Sequence, residues 1–481
     1  MMRCPFCGAP YPRNARFCGR CGSSLPVQQG SLPAGLIAFA SAVTVLSALL
    51  LIAVLLLLPV MDSGQDRLPS GAAPAPVTLS PPARPHPTPT RRIPPTPTPL
   101  LRGTIKIVTQ SPLSGGQAVL GEGIKNGAQL AIEQLKGPIE ALGFKVELVP
   151  LDDQARRDVG MANAGLIVND PDILAVIGHL NSGVAIPASE IYKDYDLVMV
   201  SPANTNPCIT DRGYLVVNRV CGRDDVQGAV AAEFAFNELK VKTAFVIHDK
   251  TTYGQGTAEF FKKRFEGLGG RVLGFVGTEE RFDFTLLINR IQIANPELIF
   301  FGGIYDQAGV FFKQARERGV RAIFLGPDGM DSSELAKIAG DAVVGMYYTS
   351  VAAPPTVYEG AKKFIEDYKA KFGKDPEPFS AQAYDATAIV LKAIEAAIKE
   401  AGGQKPSRKA VAEKVRATKD FQGITGVITF DERGDPVKAK YFVIKVVSGK
   451  PWDWGKNELV KILELAPPPF TPELRARCGV R

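Results

Sequence analysis

The stretch Ala34–Leu58, 25 residues without a charged side chain and ending LLLIAVLLLL, sets the first limit on how this chain can fold. As a helix it would run about 37 Å, enough to cross a hydrocarbon core of about 30 Å with some tilt. Pro33 and Pro59 bound it. A secretory signal peptide would carry an apolar core of only about 7–15 residues and a small-residue cleavage site. This run is longer, the following PVMDSG is a poor site, and no Cys stands next to it for lipid attachment. The expectation is an uncleaved membrane anchor, residues 34–60, with the chain on either side folding separately. Arg3, Arg13, Arg16 and Arg20 precede it with no acid, whereas Asp62 and Asp66 follow. That asymmetry puts the N-terminus in the cytoplasm and the rest outside.

The N-terminal piece reads CPFC, ten residues, CGRC. Cys4, Cys7, Cys18 and Cys21 thus form two C-x2-C knuckles, each followed by a glycine, the spacing of a tetrahedral thiolate site for zinc. The alternative is a redox or disulfide pair. The pattern resembles the short zinc ribbons at the starts of many bacterial and archaeal proteins, over residues 1–25. Four thiolates leave no open coordination position, so the expected Zn2+ is structural, and metal binding folds a segment too small for a core of its own. A cytoplasmic location agrees, because such thiolates need a reducing compartment.

Beyond the anchor, residues 62–103 hold twelve Pro in 42 positions. Such a stretch buries too little apolar surface to fold and reads as a tether, about 36 Å long as a coil and about 130 Å fully extended.

Of the net charge of +7, all lies before residue 104, and residues 104–481 balance 47 bases against 47 acids. A nucleic-acid-binding domain concentrates positive charge, so no nucleic acid is expected as a partner. Apolar β-branched runs recur at 105–109, 146–151, 173–178, 197–201, 243–248, 271–276, 298–302 and 322–326, separated by amphipathic stretches such as 121–136, 224–239 and 252–268. This alternation predicts an α/β fold with parallel sheets covered by helices, and the length favours two lobes over one. Ligands of such sheets bind beyond the carboxyl ends of the strands. The segments there are SPLSGG, HLNSG, PANT, DKTTYG and PDG, in which hydroxyls, free backbone N–H groups, a Tyr and an Asp gather. That inventory suits a zwitterion, although each loop alone also reads as a helix cap or turn.

Taken in order, IGHLNSG, IYKDYDLVMVSPANTNP, DRGY, HDKTTYGQG, FFGGIYDQAG, FLGPDG and FDERGDP resemble the branched-chain amino-acid-binding proteins of ABC importers, over essentially residues 104–450. The resemblance implies a type I periplasmic-binding fold, two lobes joined by three crossovers that close on a ligand. It divides residues 104–466 into a first lobe at about 104–222 and 352–425 and a second at about 223–351 and 426–466, leaving a tail at 467–481. It places the carboxylate-binding hydroxyl at Ser182, companion contacts at Ala203 and Thr205, a pocket ring at Tyr253 and the ammonium-binding acid at Asp328, where Glu is usual. Leu120 stands where an aromatic covers the ligand in this family. Ile304 stands where a Tyr is expected, with Tyr305 one position later. The amino-acid head group is thereby retained while side-chain preference stays open.

Cys208 and Cys221 bracket a strand-like segment, Tyr214–Asn218, and are expected to form a disulfide, the alternative being two buried thiols. Cys478 is then left over in a disordered tail. No nucleophile elbow, phosphate loop, dinucleotide fingerprint or His cluster occurs among the three His, so no enzyme activity is expected. His179 borders the expected pocket, and Asp152–Asp153 reads as a capping or hinge pair rather than a catalytic one. Two functions remain: capture of an amino acid for an ABC permease, favoured because a long flexible tether transmits force poorly, or ligand sensing across the membrane. An amide, urea or other small carboxylate is the alternative ligand.

Overall fold

The computed structural model describes residues 2–3, 10–11 and 101–479. Strands β1 (Met2–Arg3) and β2 (Pro10–Tyr11) form a short antiparallel ladder that pairs Met2 with Tyr11 and Arg3 with Pro10. The four N-terminal cysteines, the expected span 34–60 and the Pro-rich stretch up to residue 100 lie outside the described residues. Among the described residues no helix is long and apolar enough to cross a membrane.

Two doubly wound sheets make up the large C-terminal unit. In the first, β3 (Gly103–Ser111), β4 (Phe144–Asp152), β5 (Ile173–Gly178), β6 (Val198–Ser201) and β7 (Val217–Arg219) are all parallel, in the order β4-β3-β5-β6-β7. In the second, β8 (Thr243–His248), β9 (Arg271–Gly277), β10 (Leu298–Gly302), β11 (Ile323–Gly326) and β12 (Tyr347–Ser350) repeat that order as β9-β8-β10-β11-β12. A small hairpin of β13 (Phe421–Gln422) and β14 (Val427–Ile428) precedes β15 (Ala439–Lys445) and β16 (Glu458–Leu465), which extend the second sheet antiparallel beyond β12. The central strands are near-continuous apolar runs, ILAVIG in β5 and LIFFG in β10, every residue buried. That composition belongs to strands covered by helices on both faces. In each sheet the strand order reverses once, between β3 and β5 and between β8 and β10. The carboxyl ends at those two reversals are where an open α/β sheet has room for a ligand.

Close helix packing fixes the first lobe. Helix Ala118–Leu135 lies against the Ala-rich helix Ser380–Glu400, and a Cβ on Gly127 would sit 2.1 Å from the Ser380 carbonyl oxygen. The contact is backbone to backbone and cannot yield by a rotamer change. Gly127→Ala gains about 1 kcal/mol of helix propensity but forces the helices apart, which costs about 1–3 kcal/mol or more. Net destabilisation is expected, read as a lower urea midpoint at unchanged slope; a higher midpoint would show that the helix pair can separate freely.

Between the sheets the chain crosses three times, at about 220–223, 351–361 and 429–438. The first and third crossings are locked by a buried charge cluster. Asp435, fully buried, accepts from Arg219 Nε and Arg223 Nη1, both at 2.6 Å, and from the Thr210 hydroxyl at 2.6 Å. Arg223 also reaches Asp211 at 2.7 Å and Asp225 at 2.8 Å, and Arg433 pairs with Asp431 at 2.9 Å. Burial alone would raise the Asp435 pKa, but the guanidinium charges of Arg219 and Arg223 outweigh it and hold the carboxyl well below the usual range.

The expected Cys208–Cys221 disulfide is corrected. Cys208 is bonded to Cys478, with Cα atoms 5.3 Å apart, and Cys221 is free. Cys221 lies just past β7 with its thiol buried 3.6 Å from the Asn204 carbonyl, whereas the turn Pro207–Ile209 carries Cys208 outward. The tail is also more ordered than expected. Pro472–Arg477 forms a helix capped by Thr471, whose hydroxyl accepts from the Leu474 N–H at 3.4 Å.

Candidate functional site

Loops from both reversals meet over one tight cavity of about 20 Å³. From the first lobe come Leu120, Leu180, Asn181, Ala203 and Phe379, and from the second Tyr253, Ile304, Asp328 and Gly329. Five expected site residues, Leu120, Ala203, Tyr253, Ile304 and Asp328, therefore line one space. Ser182 and Thr205 are buried beside it without lining it.

Asn204 shapes the first-lobe side. Its side-chain oxygen accepts from the His179 N–H at 2.9 Å and the Ser201 hydroxyl at 2.7 Å, while its amide donates to the Leu180 carbonyl at 2.8 Å. One side chain thus ties the loop after β5 to the loop after β6. Ser182 opens the 13-residue helix Ser182–Asp194, and its hydroxyl accepts from the Asn206 N–H at 3.4 Å. A hydroxyl beside free N–H groups at a helix start suits a carboxylate. His179 turns away from the cavity, between Asp153 at 3.4 Å and Tyr192 at 3.3 Å, so its part is structural. Asp152 takes the Leu113 N–H at 2.8 Å and the Ser114 hydroxyl at 2.5 Å, anchoring the loop after β3.

On the second-lobe side the helix Thr252–Gly267 starts tightly against β10. A Cβ on Gly254 would meet the Gly302 carbonyl oxygen at 2.5 Å, so only glycine permits this approach. The start aims Tyr253, whose hydroxyl donates to Asp328 Oδ1 at 2.8 Å and accepts from the Gly329 N–H at 2.8 Å. Burial pushes the Asp328 carboxyl up to about 6, against the pull of the Tyr253 hydroxyl and nearby Gln227.

A second carboxylate lies close by. Asp224, fully buried at the start of helix Asp224–Glu233, makes no well-formed hydrogen bond on either oxygen among the described residues, although the Thr205 and Thr257 hydroxyls stand beside it. Burial first, and then the charge of Asp328, raise its pKa well above the usual range. The Thr205 hydroxyl, also buried, faces this carboxylate without a well-formed hydrogen bond. Two buried carboxylates this close suit a cation between them, and among the described residues no basic side chain lies within ion-pair distance of Asp224. Sequence reading passes over Asp224 because an acid opening a helix is ordinary. Leu180 and Asn181 stood in the inspected HLNSG loop, but Phe379 follows a turn with no strand before it and carried no signal.

Should a cation bind here, it favours the ionised carboxylates and displaces their protons. Affinity for an ammonium ligand is then expected to fall below pH about 6, by up to about tenfold per pH unit for each proton displaced. Calorimetry at pH 6 in two buffers of different ionisation enthalpy reads the released proton directly; equal heats in both would count against these carboxylates as the cation site.

Tyr305, one residue past Ile304, does not face the cavity. Its hydroxyl crosses between the lobes and donates to the Gly116 carbonyl at 2.7 Å, while Asn206 Nδ2 donates to the Thr252 carbonyl at 3.0 Å on the same closed face. A neutral hydrogen bond of this kind is worth about 0.5–1.5 kcal/mol net. Tyr305→Phe is expected to raise the ligand dissociation rate roughly twofold to tenfold with little change in association, by stopped-flow fluorescence. An unchanged dissociation rate would remove Tyr305 from any latch.

Comparison with known proteins gives the same picture. Residues 104–451 match the family model described as periplasmic binding protein, and residues 3–25 match a zinc-ribbon domain. A leucine-, isoleucine-, valine-, threonine- and alanine-binding protein of Pseudomonas aeruginosa is 38% identical over 69% of this chain and 87% of its own. A Leu/Ile/Val-binding protein homologue of Brucella abortus is 35% identical over 70% of this chain and 89% of its own. Among solved structures, a leucine-binding protein of Thermotoga maritima superposes with a TM-score of 0.67 at 33% identity, covering 75% of this chain and 98% of that one.

Proposed function

Since the chain belongs to the periplasmic binding protein family, we propose that its two-lobed unit captures an amino acid with a small apolar side chain outside the cytoplasm and delivers it to an ABC permease. The observation that carries this reading is the chemistry of the cavity wall. Asp328 stands in the second-lobe wall with buried Asp224 behind it, the Ser182 hydroxyl and helix start lie buried beside the first-lobe wall, and Leu120, Leu180, Ile304 and Phe379 line the space between. Such a wall takes a zwitterion by both ends and leaves its side chain an apolar enclosure. Relatives named as binders of leucine, isoleucine and valine support the same ligand class. The lobes close on the ligand about the three crossings, with Tyr305 and Asn206 joining the rims.

The N-terminal region completes the arrangement. Cys4, Cys7, Cys18 and Cys21 would hold a structural Zn2+ in the cytoplasm, as the donor set and the zinc-ribbon match favour. The β1–β2 ladder pairs the residues flanking the first knuckle, which fits that use. Residues 34–60 anchor the chain in the cell membrane as a single span, and residues 62–103 tether the binding unit outside. Tethering raises the concentration of binding unit near a membrane partner without any new contact.

Calorimetric titration of the purified full-length chain with a panel of amino acids tests the proposal. Micromolar binding of aliphatic amino acids is expected, near −8 kcal/mol. Binding of an amide, urea or aromatic carboxylate in their place, by a folded protein, would overturn the ligand class.

A further inference from the structure

Cys478, the cysteine that the sequence left without a partner, sits at the end of a segment that starts in one lobe and is bonded to the other. β16 ends at Leu465 on the edge of the second sheet, and 13 residues later Cys478 is joined to Cys208 of the first lobe. The path is stiff. Pro467, Pro468 and Pro469 each fix a backbone dihedral, and Pro472–Arg477 is a helix about 9 Å long. Along the way Phe470 packs at Gly213 and under the Arg433 guanidinium, 5.4 Å from the ring, beside the buried hinge charges. Leu474 and Arg477 then lie at the mouth between the lobes, in a hollow shared by Asn206 and Cys208 of the first lobe and Gly256 and Phe260 of the second.

We propose that the tail is a reducible strap, a fourth connection between the lobes that limits how far the cleft opens while the Cys208–Cys478 disulfide is intact. A short proline-stiffened segment has little slack, so parting the lobes at Asn206 and Gly256 must either stretch it or lift its helix from the second lobe. Both sulfurs belong to partly exposed residues, within reach of a small reductant. Reduction breaks the S–S bond with two electrons and two protons from an external dithiol, which becomes a disulfide, and leaves two thiols on the protein. Exchange to Cys221, the other cysteine of the two-lobed unit, is disfavoured, since it is buried against Asn204 and burial pushes its thiol up.

The strap is tested on the full-length chain with spin labels carried by unnatural amino acids at the exposed positions Lys337 and Asp375, one on each lobe. Pulsed electron–electron distances are recorded without ligand, oxidised and after dithiothreitol. The expected result is a longer and broader distribution on reduction, reproduced by Cys478→Ser without reductant. Reduction of the wild-type chain keeps the test decisive if that variant fails to fold, and the variant answers for any effect of dithiothreitol on the N-terminal cysteines. Identical distributions in oxidised and reduced protein would overturn the strap. With L-leucine as probe, and resting on the binding reading above, dissociation is expected to quicken about threefold or more on reduction. Failure of leucine to bind in either state would strike that reading alone, because the distances need no ligand.

Discussion

Asp435→Ala is expected to destabilise the protein by about 3–5 kcal/mol, a large share of the about 5–15 kcal/mol that a folded domain commonly has. The carboxylate holds Arg219 and Arg223, both buried, and its removal takes from Arg219 its only carboxylate partner among the described residues while leaving Arg223 to Asp211 and Asp225. The ion cluster need not add net stability over a well-packed apolar core; breaking it by one partner is what is costly. Asp435→Asn keeps the shape and loses the charge, so it should fall between wild type and Ala. The pH sign follows from the depressed carboxyl. Its contribution is present above the ordinary value of 3.8 and is lost only as pH falls through the lower folded value. The gap between wild type and Asp435→Asn should therefore persist down to pH about 4. Urea unfolding at pH 7 and pH 4 reads both effects, and a loss below about 1 kcal/mol for Asp435→Ala would show that the arginines find other partners.

The second large effect concerns the ligand. Asp328→Ala should weaken amino-acid binding by about 2–5 kcal/mol, from thirtyfold to a few thousandfold. The substitution removes the carboxylate to which Tyr253 donates at 2.8 Å and leaves a buried ammonium facing Asp224 alone. Asp224→Asn is expected to lose less, since Asp328 remains, and it should abolish part of the proton release at pH 6. Calorimetry of both variants, with circular dichroism to confirm folding, separates the roles. Equal affinity of Asp328→Ala and wild type would exclude the ammonium from this end of the cavity.

Much of this architecture is readable in the chain. The eight apolar β-branched runs coincide with β3, β4, β5, β6, β8, β9, β10 and β11; central strands such as β5 and β10 are buried on both faces and so apolar throughout, while the edge strands β4 and β9 are only partly buried. What escapes is what depends on distant partners. β12 (YYTS) and the exposed β16 (ELVKILEL) mix polar with aromatic or apolar residues and give no clear run, and the buried apolar stretch of β15, Tyr441–Ile444, is only four residues long. Asp224 looks like a helix-opening acid until the fold sets it near Asp328. Ile304 and Tyr305 are adjacent in sequence, but the helix starting at Tyr305 sends one to the cavity and the other across the cleft. Cys208 could be paired by nearness in sequence only with Cys221; its true partner is 270 residues away. Local spacing reports periodicity well and long-range pairing poorly.

The cavity is walled by both lobes, and hydrogen bonds from Tyr305 and Asn206 close its rim. Nothing enclosed there can slip out past a single side chain. If the lobes part as proposed, escape is timed by the swing of half the molecule, the protein works as a clock as well as a trap, and whatever prises the lobes apart decides when the cargo is dropped.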